Sequence, residues 1–263
     1  MRIKPKKRLG QNFLIDKNIA GKIISLLQLE PSDVILEIGA GRGELTGLIA
    51  QRVKKVYALE IDNGLCAVLR NNLKSFHNVE IINQDILKLN LENYFRKADN
   101  ELKLKVFGNI PYYISTPIIE RLLKARDSLS GIFITVQKEF AQRITAVPGS
   151  KDYGSLTCFV QYYTRPEICL NIKKTCFSPR PKVDSCLLRL SIRGAPCVEP
   201  RDEGLFFKII RAGFNKRRKT LRNSLSGVVA QQDLERFFAK YGIDSRVRPE
   251  NLSLEDFANL SNI

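Results

Sequence analysis

The chain has 263 residues, 44% of them hydrophobic, with 43 basic side chains against 27 acidic ones and a formal net charge of +16. That size suits one large core plus a small second one, and no apolar run approaches the length needed to cross a bilayer. One histidine (His77) and six cysteines without a C-x-x-C pair argue against a zinc cluster or a Ser-His-Asp triad, and no metal is expected.

Residues 1–10 carry five basic and no acidic side chains. They run into Gly10-Gln11-Asn12-Phe13-Leu14, a polar arm without helical or strand period. No apolar signal region follows the Met-Arg-Ile-Lys start, so a cytoplasmic chain with reduced cysteines is expected. Asp16 suits the N-cap of a helix through Ile19, Ile23, Ile24 and Leu27. Val34–Ile38 is apolar except for Glu37 and predicts a buried parallel strand. Glycines follow at 39, 41 and 43, where a backbone free of Cβ can turn sharply and let a ligand approach. Their G-x-G-x-G spacing differs from the dinucleotide fingerprint G-x-G-x-x-G. In this form, with Glu37 two residues ahead, the stretch resembles the first motif of Rossmann-like methyltransferases that use S-adenosylmethionine. An ordinary strand-to-helix turn is the other reading.

Val56–Leu59 predicts the second strand, ending at Glu60, 19 residues after Gly41. A carboxylate there can accept both hydroxyls of an adenosine ribose. Asp62 precedes the helical pattern Leu65, Val68, Leu69, Leu73 and is taken as its cap. Val79–Ile82 is a third strand. Beyond it, Asp85 can accept from an adenine amine and the Ile86 amide can bind a ring nitrogen; a plain turn residue explains Asp85 equally well. Leu104–Gly108 is a fourth strand, followed by Asn109-Ile110-Pro111-Tyr112 and then by Ser115-Thr116-Pro117, read as a helix start with a hydroxyl cap and proline at its first position. Gly131–Gln137 is a fifth strand, and Lys138–Ala146 a helix. Leu156–Tyr163 and Val183–Ile192 read as two further strands.

This alternation predicts an α/β fold, a Rossmann-like doubly wound parallel sheet with an antiparallel edge. Gly194-Ala195-Pro196 and Glu199-Pro200 mark a linker. Residues 1–193 are expected to form the sheet domain with its arm, and residues 200–263 a small all-helical domain with a capping box at Ser253–Asp256. Residues 208–222 hold seven basic and no acidic side chains: Lys208, Arg211, Lys216, Arg217, Arg218, Lys219 and Arg222. Without these and the five at the N-terminus the excess falls to +4. Single-sign clusters of this kind meet phosphates. Together with Lys6, Lys7 and Arg8 of the arm they are the candidate RNA-binding residues; a packing appendage is the alternative for the C-terminal region.

The Asn109–Tyr112 segment suits a planar amine. An Asn side-chain oxygen and the Ile110 carbonyl can each accept one N–H, Pro111 stiffens the turn that aims the carbonyl, and Tyr112 can stack on the base. Those two hydrogen bonds favour a pyramidal nitrogen whose lone pair faces a sulfonium methyl, and no general base is required. A helix-entry turn with an incidental Asn is the bland reading.

These landmarks, with Phe177-Ser-Pro-Arg-Pro-Lys-Val-Asp-Ser185, resemble the ribosomal RNA adenine dimethyltransferase family over nearly the whole chain. Its bacterial small-subunit branch is the nearest, given the Lys/Arg-Leu-Gly-Gln-Asn-Phe-Leu start and Arg248-Pro-Glu-Asn-Leu-Ser253. The resemblance implies S-adenosylmethionine as cofactor, in contact with Asn12, Leu14, Gly39, Glu60, Asp85 and Asn109; Gly41, Ile61 and Ile86 complete the expected cofactor-binding set. It implies 16S rRNA of the immature small ribosomal subunit as partner, two adjacent adenines near its 3′ end as targets, no membrane, and a monomer. Phe177, at the end of a stiff proline loop, is expected beside Tyr112 at the target base, a core residue being the alternative. The rivals are the 23S-modifying branch tied to macrolide resistance and a non-catalytic nucleic-acid-binding relative.

Overall fold

The computed structural model describes residues 5–6, 9–91, 103–216 and 218–263. They fall into two compact units, residues 1–141 with 167–192, and residues 142–166 with 193–263.

The first unit is built on strands β1 (Phe13–Leu14), β2 (Val34–Ile38), β3 (Lys55–Leu59), β4 (Val79–Ile82), β5 (Leu104–Asn109), β6 (Leu129–Gln137), β7 (Thr164–Ile172), β8 (Phe177–Ser178) and β9 (Ser185–Ile192). Seven of them form one sheet in the order β4-β3-β2-β5-β6-β9-β7, and β1 pairs with β8 apart from it. β2 lies parallel to β3 and β5 (Leu36 opposite Tyr57 and Val106), whereas β9 runs antiparallel to β6. All five residues of β2 are buried, as a strand covered on both faces requires. The chain steps outward from β2 to β3 and β4, then returns to the other side for β5 and β6. The strand order therefore reverses between β2 and β5, which opens a crevice at their carboxyl ends.

Helices α1 (Lys17–Leu26), α2 (Glu44–Ala50), α3 (Asn63–Asn72) and α4 (Ser115–Lys124) accompany these strands. Asp16 caps α1 by accepting from the Asn18 and Ile19 amides, and Asp62 caps α3 by accepting from the Gly64 amide. The start of α4 differs from expectation. A 3-10 turn at Tyr112–Ile114 leads straight into it, no side chain caps it, and Ser115 is buried with its hydroxyl unpartnered. Pro117 is therefore the third residue of the helix.

Helix α5 (Lys138–Ile144) follows β6. The second unit contains α6 (Ser155–Tyr163), α7 (Glu203–Asn215), α8 (Leu221–Ser224), α9 (Gln231–Tyr241) and α10 (Leu254–Ser261). Residues 156–163, expected as a strand, are thus helical, and the strand comes after them, at Thr164–Ile172. Their β-branched and aromatic residues favour a strand locally, but packing overrides so weak a preference. The Thr157 hydroxyl accepts from the Gly154 amide at the helix start, and Gln161 donates to the carbonyls of Ile144 and Ala146. Tyr162 and Tyr163 both donate to the Glu203 carboxylate; the Tyr162 ring packs edge-on against Phe207 and tilted against Phe206, and the Tyr163 ring packs tilted against Phe207 of α7. That aromatic cluster joins residues 142–166 to the C-terminal helices, so the second unit is larger than the expected 200–263 domain. In it the Ser253–Asp256 capping box forms as the sequence indicates.

Candidate active site

A cavity of about 300 Å³ opens at the carboxyl ends of β2, β3 and β5. Its floor is the glycine turn after β2. Gly41 has φ +61°, and a Cβ there would stand 3.3 Å from the Phe13 ring, so only glycine fits without displacing the arm. Beneath the turn Glu37 is 2% exposed, and Oε2 has no hydrogen-bond partner. Burial pushes its carboxyl up to about 8, against an ordinary 4.5, with Thr46 opposing and Glu60 and Glu44 adding to the rise.

At the end of β3, Glu60 is 5% exposed. One of its oxygens accepts from the Gly41 amide (3.0 Å), the other from the Asp62 amide (2.9 Å). Burial raises its pKa, and the Asp62 and Gly41 amides work against that rise. Asp85 accepts from the Leu87 amide at 2.9 Å, so it makes the expected turn and also lines the cavity.

On the opposite wall Asn109 donates through Nδ2 to the Asn12 carbonyl at 2.9 Å. With the NH2 committed to the arm, Oδ1 remains as the acceptor. Ile110 is buried, and Pro111 (φ −60°, ψ 131°) is extended before the 3-10 turn. The Tyr112 hydroxyl shares a 2.6 Å hydrogen bond with Ser185 Oγ, which is fully buried, and burial raises the phenol's pKa.

The cavity thus brings together Asn12, Gly39, Gly41, Glu60, Ile61, Asp85, Ile86, Asn109, Ile110, Pro111 and Tyr112. Two expected residues stand elsewhere. Leu14 and Phe177 face each other across β1 and β8, and Phe177 is 3% exposed in a core cluster with Ile23, Ile24 and Phe133. Neighbouring strand residues point to opposite faces. Because Phe13 turns toward Gly41 and the cavity, Leu14 turns to the core and Phe177 with it. Sequence reasoning did not reach Gln11, whose side chain donates to Asp62, Tyr113, 63% exposed at the cavity's wall, or Ser185. Only Tyr113 carried a local signal, as a second aromatic after Tyr112.

Of the basic residues, Lys208, Arg211, Lys216, Arg218 and Lys219 are exposed. Arg222 is paired with Glu235 at 2.7 Å, and Lys6 with Asp62 at 2.9 Å. Lys7, Arg8 and Arg217 lie outside the described residues.

A mixed sheet in this order, with a glycine turn and a carboxylate-tipped second strand around one crevice, defines a Rossmann-like methyltransferase. Two solved structures share the fold over nearly their full length. The 23S rRNA methyltransferase ErmE has a TM-score of 0.75 and 26% identity, covering 95% of this chain and 98% of that one. A dimethyladenosine transferase from Plasmodium falciparum has a TM-score of 0.78 and 26% identity, covering 94% and 95%. The chain belongs to the ribosomal RNA adenine dimethylase family, whose model matches residues 2–263. Curated relatives named ribosomal RNA small subunit methyltransferase A are 46% identical in Geobacillus kaustophilus (98% of this chain, 90% of the relative) and 43% identical in Caldanaerobacter subterraneus (99% and 97%).

Proposed function

We propose that this enzyme transfers methyl groups from S-adenosylmethionine to the exocyclic amines of two adjacent adenines near the 3′ end of 16S rRNA, two per base, in the cytoplasm during small-subunit assembly. The observation that carries the reading is Asn109, held by the arm with its acceptor oxygen left free, at the strand-order reversal. The 41–46% identity to small-subunit relatives, against 26% to the 23S enzyme, supports the small subunit as the RNA source.

The residues fit the cofactor. Each Glu60 oxygen already accepts one amide but has a second lone pair, so the carboxylate can also take the ribose hydroxyls. Asp85 and Ile86, which line the same cavity, would hold the adenine, and Asn12, Gly39 and Gly41 would hold the methionine end. When bound, S-adenosylmethionine supplies an electrophilic methyl on sulfur. The chain's own work is to aim the acceptor. Asn109 Oδ1 and the Ile110 carbonyl accept the two amine N–H groups, which draws the nitrogen lone pair out of conjugation, and Tyr112 stacks on the base. Transfer of that methyl would leave the amine nitrogen cationic, and its proton would pass to water, so the chain need supply no base. Catalysis is positioning and water exclusion. The exposed Lys208, Arg211, Lys216, Arg218 and Lys219 supply phosphate contacts.

Labelled S-adenosylmethionine offered with immature small subunits, or with large-subunit RNA, tests this directly. Dimethylated adenines mapped to adjacent positions of the small-subunit RNA are expected. Label in large-subunit RNA alone would overturn the assignment.

A further inference from the structure

The buried side chain of Asp62 does more than a helix cap requires. Capping needs one oxygen, and Oδ1 accepts from the Gly64 amide at 2.9 Å. The same carboxylate, fully shielded from solvent, also receives Lys6 Nζ at 2.9 Å and Gln11 Nε2 at 3.3 Å. Gln11 closes the loop by accepting from the Lys6 amide at 2.8 Å. Burial acts to raise the Asp62 pKa, but Lys6, the Gly64 amide and Gln11 hold it below the ordinary carboxylate value, so the carboxylate is ionised at neutral pH.

The arm is fastened at its other end too. Asn109 holds the Asn12 carbonyl, and Gly10, at φ +61°, lies so close to the next wall that a Cβ would come within 3.2 Å of Pro111 and 3.3 Å of the Tyr113 ring. Leu9, Gly10, Gln11, Asn12 and Phe13 of the arm line the cavity. The arm therefore spans from the end of β3 to the end of β5.

We propose that Asp62 is a positioning residue for the cofactor, clamping the N-terminal arm across the cavity through Lys6 and Gln11. The clamp rests on the reading that the cavity takes S-adenosylmethionine. It also assigns Lys6 to the arm's own fastening rather than to RNA.

The test is the rate at which labelled S-adenosylmethionine leaves the full chain, without RNA, in wild type, Asp62→Asn, Lys6→Ala and the double variant. Asparagine caps helices as well as aspartate does, so Asp62→Asn keeps the cap while losing the charge. Lys6 is on the surface, its side chain 44% exposed, and its variant carries the test if Asp62→Asn is unstable. Loss of a charge-assisted hydrogen bond predicts release about tenfold faster in each single variant. The double variant should be no faster than either, and KM for the cofactor should rise while kcat at saturation stays near wild type. Added salt should speed release from wild type and leave Lys6→Ala unchanged. Wild-type release rates in both single variants, or additive effects in the double, overturn the clamp. A wild-type chain that binds no S-adenosylmethionine overturns the cavity reading and the clamp with it.

Discussion

Two segments of the first unit invite the same reading from sequence and behave differently in the structure. Asn109–Tyr113 and Cys176–Ser185 both contain proline and an aromatic residue, and both adjoin a sheet strand. The first forms a wall of the cavity. The second turns its aromatic residue inward: Phe177 packs with Ile23, Ile24 and Phe133, pinned opposite Leu14. What separates them is which face the flanking strand turns to the core. One segment lines the cavity, and the other packs into the core behind it.

The largest effect should come from the supporting side. Phe177→Ala removes a buried ring and is expected to cost about 3–5 kcal/mol of stability. Methylation per folded molecule should stay close to wild type. A melt paired with single-turnover methylation checks this; normal melting with slow turnover would return Phe177 to the wall and erase the contrast.

Asn109→Ala should do the reverse. Loss of one oriented group at the reacting centre is worth on the order of 10²–10³ in kcat, with melting little changed because Asn109 is only partly buried. Methylation that persists within a few-fold would move the amine acceptor elsewhere.

Glu37 belongs with the supports although it reads as part of the site motif. Its folded pKa of about 8 lies above the ordinary 4.5, so between these values the folded chain holds a proton that the unfolded chain has released. Stability should therefore fall as pH rises through that window, by up to about 1.4 kcal/mol per unit. Glu37→Gln should flatten the slope and raise the melting temperature at pH 8. Denaturant titrations that give both proteins the same change in stability between pH 5 and pH 8 would show that Glu37 is already ionised.

What could be read in advance follows from the same distinction. β2 was legible because five successive buried residues leave a local pattern, and the Asp16 and Ser253 caps because each acts on its own helix. Residues 155–163 misled because their aromatic content favours a strand, while the partner that decides, Glu203, lies in another element. The second duty of Asp62 depends on Lys6, 56 residues earlier, and that of Tyr112 on Ser185, 73 residues later. No window of sequence contains such pairs. The wall of the cavity is encoded locally, and what braces it is encoded at a distance.

The Tyr112–Ser185 bond joins the two segments and gives the smallest effect, but the most discriminating one. Tyr112→Phe keeps the stacking ring and leaves Ser185 Oγ buried without its partner, which should cost about 1–3 kcal/mol. Ser185→Ala leaves the phenol hydroxyl in the same position. Replacing both removes donor and acceptor together, so the double variant should be less destabilised than the two singles summed. If Ser185 only braces the wall, both single variants should lower kcat less than tenfold and spare cofactor affinity, because the ring remains. Strictly additive losses of stability would mean that the 2.6 Å contact carries no coupling. The wall would then stand without its brace, and the separation of ligand-touching from supporting segments would fail where they meet.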